Sequence, residues 1–355
     1  MILPPSIALA LSGGGIRAIV FHLGVIRLLA ERRLLEHVER ISTVSGGSLL
    51  VGLILQANQY QWPSSDLFME SVYPNLRNSL CNKSFQWGAL RQLLNPVNLP
   101  FVFSRANLLA LAIEKEWNIR IKLSELPIRP EWSINATTAE NGKRFRFKRS
   151  DIGDYQLGYA SAEDFHLSSA MAVSAAFPGG FGPLRLDATL FNWQKREWNA
   201  LKGTEQPVNI GYKSLHLYDG GIYDNLGLEP FFDAGRSKAK HPGTTIIVSD
   251  AGRPLPSGFD FFSLNPFRLK RVADIMSDQS HALRVRTFSN YLQESPGRGA
   301  FIYIGTPIEP TLPCKSATYT SNFPTTLRRI DLTEFDLLAN HGYQVAKQAE
   351  QACGL

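Results

Sequence analysis

Two glycine clusters, each standing behind a short apolar run and ahead of a helical pattern, constrain this chain most. In the first, Ser6-Ile7-Ala8-Leu9-Ala10-Leu11 runs into Ser12-Gly13-Gly14-Gly15-Ile16-Arg17. Ile19, Leu23, Ile26 and Leu29 then recur at helical spacing, with Arg27, Glu31, Arg32 and Arg33 on the opposite side. In the second, Ile41-Ser42-Thr43-Val44 meets Ser45-Gly46-Gly47-Ser48 and gives way to an apolar helical run from Leu49 to Ala57. A strand, a glycine loop and a crossover helix followed by a second strand form a βαβ unit. Such a unit commits the chain to a parallel sheet with right-handed crossovers.

Composition narrows the class without naming a function. Apolar residues make up 44% and charged residues 19% of 355 residues, as in a globular protein with a large core. The net charge of +6 favours acidic partners, with anionic lipid and nucleic acid both open at this level. Cys81, Cys314 and Cys353 are widely separated, which argues against a disulfide framework or a thiolate metal site and points to a reducing compartment. The start, Met1 to Pro5, has no basic n-region and is not expected to be a secretory signal. No uncharged apolar run reaches the about 18 residues a spanning helix needs.

Further along, Ser133 to Thr138 and Arg144 to Lys148 flank Asn141-Gly142, a strong hairpin signal. A helix of small residues is expected from Leu167 to Phe177, stopping at Pro178-Gly179-Gly180. Short strands follow at Leu215–Tyr218, ending in Asp219-Gly220-Gly221, and at Thr244–Asp250. The polar ends of such strands are where open α/β sheets place ligands. Phe259, Phe261, Phe262 and Phe267 precede Arg268, Lys270 and Arg271, which reads either as a membrane-surface patch or as a loop packed on the core. A long helix is expected over about 272–292, and a last one opening at Thr333 with Asp336 three residues on. Residues 60–130 mix aromatics and prolines, notably Trp62-Pro63, Asn95-Pro96 and Leu99 to Phe103, and read as ordinary surface packing or as a lid. No linker divides the chain, so one domain over 1–355 is expected, with the lid region at 60–130.

Acyl transfer needs a nucleophile, a base and donors for the oxyanion. Ser45 sits where a strand-to-helix turn would lift a hydroxyl above the sheet edge; Gly47 fits the G-x-S-x-G elbow and Thr43 departs from it. Gly13, Gly14 and Gly15 offer main-chain amides at a helix N-terminus on the neighbouring strand. None of the seven histidines has a recognisable catalytic setting, whereas Asp219 stands at a strand end beside two glycines. Taken alone, Asp219-Gly220 also reads as a simple turn.

Together these pieces make a resemblance. Gly13-Gly14-Gly15-Ile16-Arg17 resembles the glycine-rich oxyanion motif of the patatin-like phospholipases, Ser45-Gly46-Gly47 their nucleophile elbow, and Asp219-Gly220-Gly221 their aspartate motif, in the family's order. Ala170 to Pro178 is similar to a stretch between serine and aspartate in that family. The resemblance spans about Ile7 to Gly227 and implies a three-layer α/β/α fold with a mainly parallel sheet. It implies a lipid acyl hydrolase with Ser45 as nucleophile, Asp219 as base and Gly13 to Gly15 as oxyanion loop, needing no metal or organic cofactor. Arg17 would orient the loop or meet a lipid phosphate, or be a surface cation; Gly46 and Gly47 would shape the elbow. The implied substrate is a phospholipid or other lipid ester, met by a cytoplasmic protein at the inner membrane surface, with no nucleic-acid polymer as partner. Some members act in anti-phage defence under a cyclic-nucleotide activator, which a basic surface would suit.

Two other readings remain open. A non-catalytic scaffold or lipid-binding relative would keep the fold without the chemistry. A dinucleotide-binding module would use Gly13-x-Gly15-x-x-Ala18, but it needs an acid at the end of the second strand, where this chain has Thr43-Val44-Ser45.

Overall fold

Strand β1, Ser6–Leu11, is apolar from Ile7 to Leu11 because both of its faces are covered there. It lies between Thr244–Asp250 and β2, Val38–Thr43, parallel to each. Gly299–Tyr303 and β3, Glu131–Thr138, extend this parallel core at its two ends. Beyond β3 the direction reverses. Arg144–Phe147, Asp151–Asp154 and Gly158–Ser161 follow as antiparallel neighbours, and Ser214–Asp219 pairs antiparallel with Ala136, Thr137 and Thr138 of β3. The α/β sheet expected from the sequence is thus parallel at its centre and antiparallel where the hairpins extend it. A computed structural model describes residues 6–92, 94, 98, 105–178, 182–201, 203–259, 265–308 and 315–353.

Alternation along β1 sorts the two helical layers. Ile7, Leu9 and Leu11 face the larger core, built with helix α1, Gly15–Glu31, and helix α2, Gly46–Ala57. Ala8 and Ala10 face the opposite way, toward a smaller cluster with Ile246, Val248, Phe232, Phe288 and Tyr291. The latter two belong to the long helix Asn265–Glu294, which forms part of the third layer.

Helix α1 is less amphipathic than its sequence suggests: Gly15 to Ile26 are all buried, and only the end near Arg27 and Glu31 opens toward solvent. The reason is its close crossing with the C-terminal helix Leu332–Cys353. A Cβ on Gly24 would fall 1.9 Å from the Ala339 carbonyl oxygen, and one on Gly342 would fall 2.1 Å from that of Phe21. The C-terminal helix opens earlier than expected. Asp331 accepts the Glu334 amide at 2.8 Å and the Glu334 carboxylate accepts the Asp331 amide at 3.2 Å, so the capping box is Asp331/Glu334. Asp336 pairs instead with Arg77 at 2.6 Å.

The described part of 60–130 is helical and packed. Tyr73–Asn82, Phe85–Gln92 and Arg105–Glu116 bury Leu76, Leu80, Phe85, Leu109 and Ile113 in the larger core. Asn95-Pro96, Leu99 to Phe103, Gly179-Gly180, Phe261, Phe262 and Cys314 lie outside the described residues.

The helix crossing gives a stability test. Gly24→Val must force two helix backbones apart, and it is expected to cost about 3 kcal/mol or more. Equilibrium denaturant unfolding measures it, and an unchanged midpoint would mean that the crossing yields freely.

Candidate active site

Ser45 joins β2 to α2 with φ 51° and ψ −115°, a strained combination for a residue with a side chain. It is half-buried, so the hydroxyl retains access from outside. The strain sits on the serine and not on Thr43, which is the last residue of a regular strand. The elbow is packed hard against the glycine loop. A Cβ on Gly46 would stand 2.4 Å from the Gly15 carbonyl oxygen, and one on Gly47 would stand 2.5 Å from that of Leu11.

Asp219 closes the strand Ser214–Asp219 and is buried. Its carboxylate accepts the Gly221 amide at 2.6 Å, and the Ser45 side chain is its hydrogen-bonding neighbour, acting to stabilise the charged form. Its own amide donates to the Ala176 carbonyl at 3.1 Å, and its carbonyl accepts the Thr137 hydroxyl at 2.9 Å. Burial pushes the carboxyl up to about 7, against the downward pull of those two bonds to its oxygens.

The glycine loop divides its amides. Gly13 donates to the Asn225 carbonyl at 3.2 Å, so its N–H is already taken and it drops out of the expected oxyanion set. The amides of Gly14 and Gly15, at the start of α1, donate to no acceptor among the described residues. The loop lies against the serine: a Cβ on Gly13 would be 3.1 Å from that of Ser45. Two unpaired amides at a helix N-terminus suit a developing negative charge.

Arg17 is neither a surface cation nor a contact for lipid phosphate. It is buried, with Nε donating to the Ala251 carbonyl at 3.0 Å and Nη1 to the Phe323 carbonyl at 2.6 Å. Burial lowers its pKa to about 10, with Arg253 adding to the effect. It ties the first turn of α1 to segments on either side of the Asn265–Glu294 helix. His22 is structural as well. Its ring bridges the Ser249 hydroxyl at 2.7 Å and the Ser12 carbonyl at 3.0 Å, and burial lowers its pKa to about 4.

Behind the serine runs a chain of hydroxyls that no motif announces. Trp132 Nε1 donates to Thr43 Oγ1 at 2.9 Å; Thr43 meets Ser48 at 2.7 Å, Ser48 meets Ser174 at 2.8 Å, and Ser174 donates to the Asn135 carbonyl at 2.7 Å. Indole is only a donor and a carbonyl only an acceptor, so every hydroxyl proton in the chain points the same way. Ser174 Oγ also accepts the Ser45 amide at 3.0 Å. Asn135 completes the frame, its Nδ2 donating to Ser42 Oγ and to the Thr43 carbonyl, both at 2.9 Å. Thr43, the misfit in the elbow pattern, is therefore a working link. The one sequence hint was the run of small residues from Leu167, which lets that helix approach closely enough for Ser174 to reach the turn.

The family model for patatin-like phospholipases matches residues 9–232. No curated protein matches the sequence. Human GIVD cytosolic phospholipase A2 is similar in structure, with a TM-score of 0.54 and 14% identity over 98% of this chain and 59% of that one. The same human enzyme with methyl gamma-linolenyl fluorophosphonate and terbium chloride gives 0.54 at 14% identity, covering 98% of this chain and 58% of that one. VipD from Legionella pneumophila gives 0.42 at 14% identity, covering 99% of this chain and 67% of that one. The chain spans under two thirds of the human enzyme's length, and at this identity the likeness to it is one of fold.

The hydroxyl chain makes its own prediction. Ser174→Ala strands the Ser48 hydroxyl and the Ser45 amide in a buried site, at an expected cost of about 1–3 kcal/mol in unfolding free energy. Denaturant unfolding at constant slope checks this; wild-type stability would mean that the Ser174 bonds contribute nothing.

Proposed function

The chain belongs to the patatin-like phospholipase family, and from that footing we propose that it is a lipid acyl hydrolase working through Ser45 and Asp219. The observation that carries the reading is the placing of the Ser45 side chain at the buried carboxyl of Asp219, which burial pushes up to about 7. A general base serves best when its pKa is close to the working pH, and a buried, partly ionised carboxylate can take a serine proton without a histidine between them.

In the proposed sequence Ser45 Oγ bonds to the ester carbonyl carbon while its proton passes to Asp219. The Gly14 and Gly15 amides hold the oxygen that becomes negative. Collapse breaks the bond to the alcohol, which leaves with the proton from Asp219, and an acyl-serine remains. Water then attacks the acyl carbon, again giving its proton to Asp219, and the fatty acid departs as the proton returns to Ser45. The substrate class is a membrane-lipid ester, met from the cytoplasmic side. Exposed Phe177 and Ile222, adjoining Ala176 and Gly221 respectively, supply apolar surface for an acyl chain beside the dyad.

Ser45→Ala and Asp219→Asn are each expected to lower kcat for a phospholipid or soluble ester on the order of 10⁴-fold. Intact mass after fluorophosphonate treatment should show one adduct, lost in Ser45→Ala. Full activity in folded Ser45→Ala would remove Ser45 from the mechanism, and no adduct on the wild type would favour a non-catalytic scaffold.

Protonation gives a second test. Asp219 must be ionised to act as base, so kcat/KM should rise with pH through about 7. In folding the sign is the opposite. The folded chain holds this proton to higher pH than the unfolded chain, so its contribution to stability is present below the unfolded pKa and is lost as pH rises through about 7. Asp219→Asn should therefore be more stable than wild type at about pH 8, with the gain shrinking toward about pH 4. Thermal unfolding across pH measures this, and a constant difference would put the Asp219 pKa elsewhere.

A further inference from the structure

The long helix Asn265–Glu294 is anchored through its C-terminal half. His281 Nε2 meets Asp250 Oδ2 at 2.9 Å, Arg284 Nε lies 3.6 Å from Asp224 Oδ1 with its guanidinium over the Tyr223 ring, and Phe288 and Tyr291 pack on Phe232. These anchors lie on the segments that follow Asp219 and close the Thr244–Asp250 strand. They fix the helix beside the sheet edge that carries Ser45.

About a third of a turn round the helix from these anchors, an apolar stripe is exposed. Leu269, Val272, Met276 and Leu283 are 71%, 54%, 68% and 59% exposed. Their spacing of three, four and seven residues puts all four on one stripe at 100° per residue. Between Phe267 and Arg286 five Arg or Lys stand against two Asp, in a chain of net charge +6. Exposed Arg286 lies beside the stripe, and exposed Lys270, paired with Asp274, lies round the helix from it.

Two occupants could cover such a stripe: a second copy of the helix or a lipid surface. Continued at coiled-coil spacing, the seam would read Leu269, Val272, Met276, Gln279, Leu283, Arg286, placing an amide and a cation in alternate core layers. A head-group interface accommodates both, because long polar side chains extend to the polar layer while the apolar ones enter the acyl boundary.

We propose that the Leu269–Val272–Met276–Leu283 stripe is the docking surface of this protein for an anionic phospholipid bilayer, seating the Ser45 edge of the sheet at the lipid. That purpose rests on the lipid-ester reading of Ser45, while the docking itself can be measured without catalysis. Basic residues add attraction for acidic head groups, and the apolar stripe adds area buried in the interface.

The test uses the full chain in a Ser45→Ala background, with flotation on vesicles of phosphatidylcholine containing phosphatidylglycerol and on phosphatidylcholine alone. Leu269→Asp/Met276→Asp is expected to weaken binding to the mixed vesicles at least about tenfold, with the thermal transition unchanged because both positions are exposed. Lys270→Glu/Arg286→Glu should abolish the preference for phosphatidylglycerol. With Ser45 intact, the apolar double variant should lose vesicle hydrolysis by a similar factor and keep hydrolysis of a monomeric short-chain ester. Equal flotation of parent and double variant would overturn the proposal, as would a dimer in light scattering that the double variant converts to monomer. Failure of every form to hydrolyse the soluble ester would instead strike the hydrolase reading, leaving flotation to decide the docking.

Discussion

The structure depends on how β3 holds two of its three neighbours, β2 and Ser214–Asp219, in register. β2, which delivers Ser45, lies parallel on one side of β3, while Ser214–Asp219 pairs antiparallel with its C-terminal part. Asn135 is the residue of β3 that faces both. Its side-chain amide holds Ser42 and Thr43, its carbonyl receives Ser174, and a Cβ on Gly220 would stand 2.5 Å from that carbonyl oxygen. A displacement of either flanking strand would break several buried hydrogen bonds together, each costly to leave unmade. This shared frame lets a strained serine and a buried carboxylate meet although they are far apart in sequence.

The same edge carries two aspartates in similar local settings and opposite electrical states. Asp219 and Asp250 both end strands, are buried, and accept the amide two residues on, at 2.6 and 2.8 Å. Burial alone would raise both. At Asp250 the hydrogen bond and charge of His281, with the Gly252 amide, reverse that tendency and hold it below the ordinary carboxylate range. At Asp219 only a hydroxyl and an amide oppose burial, so the carboxyl stays high. One is thereby fixed as a structural anion and the other kept near the point of proton exchange. The reciprocal effect raises His281, because the bond and charge of Asp250 outweigh its own burial.

What was legible in the sequence follows from what is local. The βαβ unit, the strands Ser6–Leu11 and Thr244–Asp250, the hairpin around Asn141-Gly142 and the long helix past residue 272 all carry their signals within a few turns of chain. What distant neighbours decide is not legible in the same way. Arg17, in the first turn of a helix, has the look of a solvated cation; it is buried because Ala251 and Phe323, hundreds of residues away, close over it. The Gly13 amide reads as free until Asn225 is brought to it. The C-terminal helix opens two residues early because Asp331 competes better for the cap than Thr333, while Asp336 is drawn off by Arg77.

Thr43 couples the sharp turn to the frame behind it. As a β-branched residue it cannot take the left-handed conformation that a glycine could, and it does not have to, since the sharp φ falls on Ser45. Kept in the strand, its hydroxyl takes the Trp132 indole proton and passes its own toward Ser48 and Ser174. Ser174 in turn receives the Ser45 amide. The strained turn is therefore stabilised from behind by side-chain hydrogen bonds, through a polarised chain in which each oxygen has one donor role to fill. A glycine at 43 would remove the first hydroxyl, leave the indole N–H without its acceptor, and release the turn from the element that braces it.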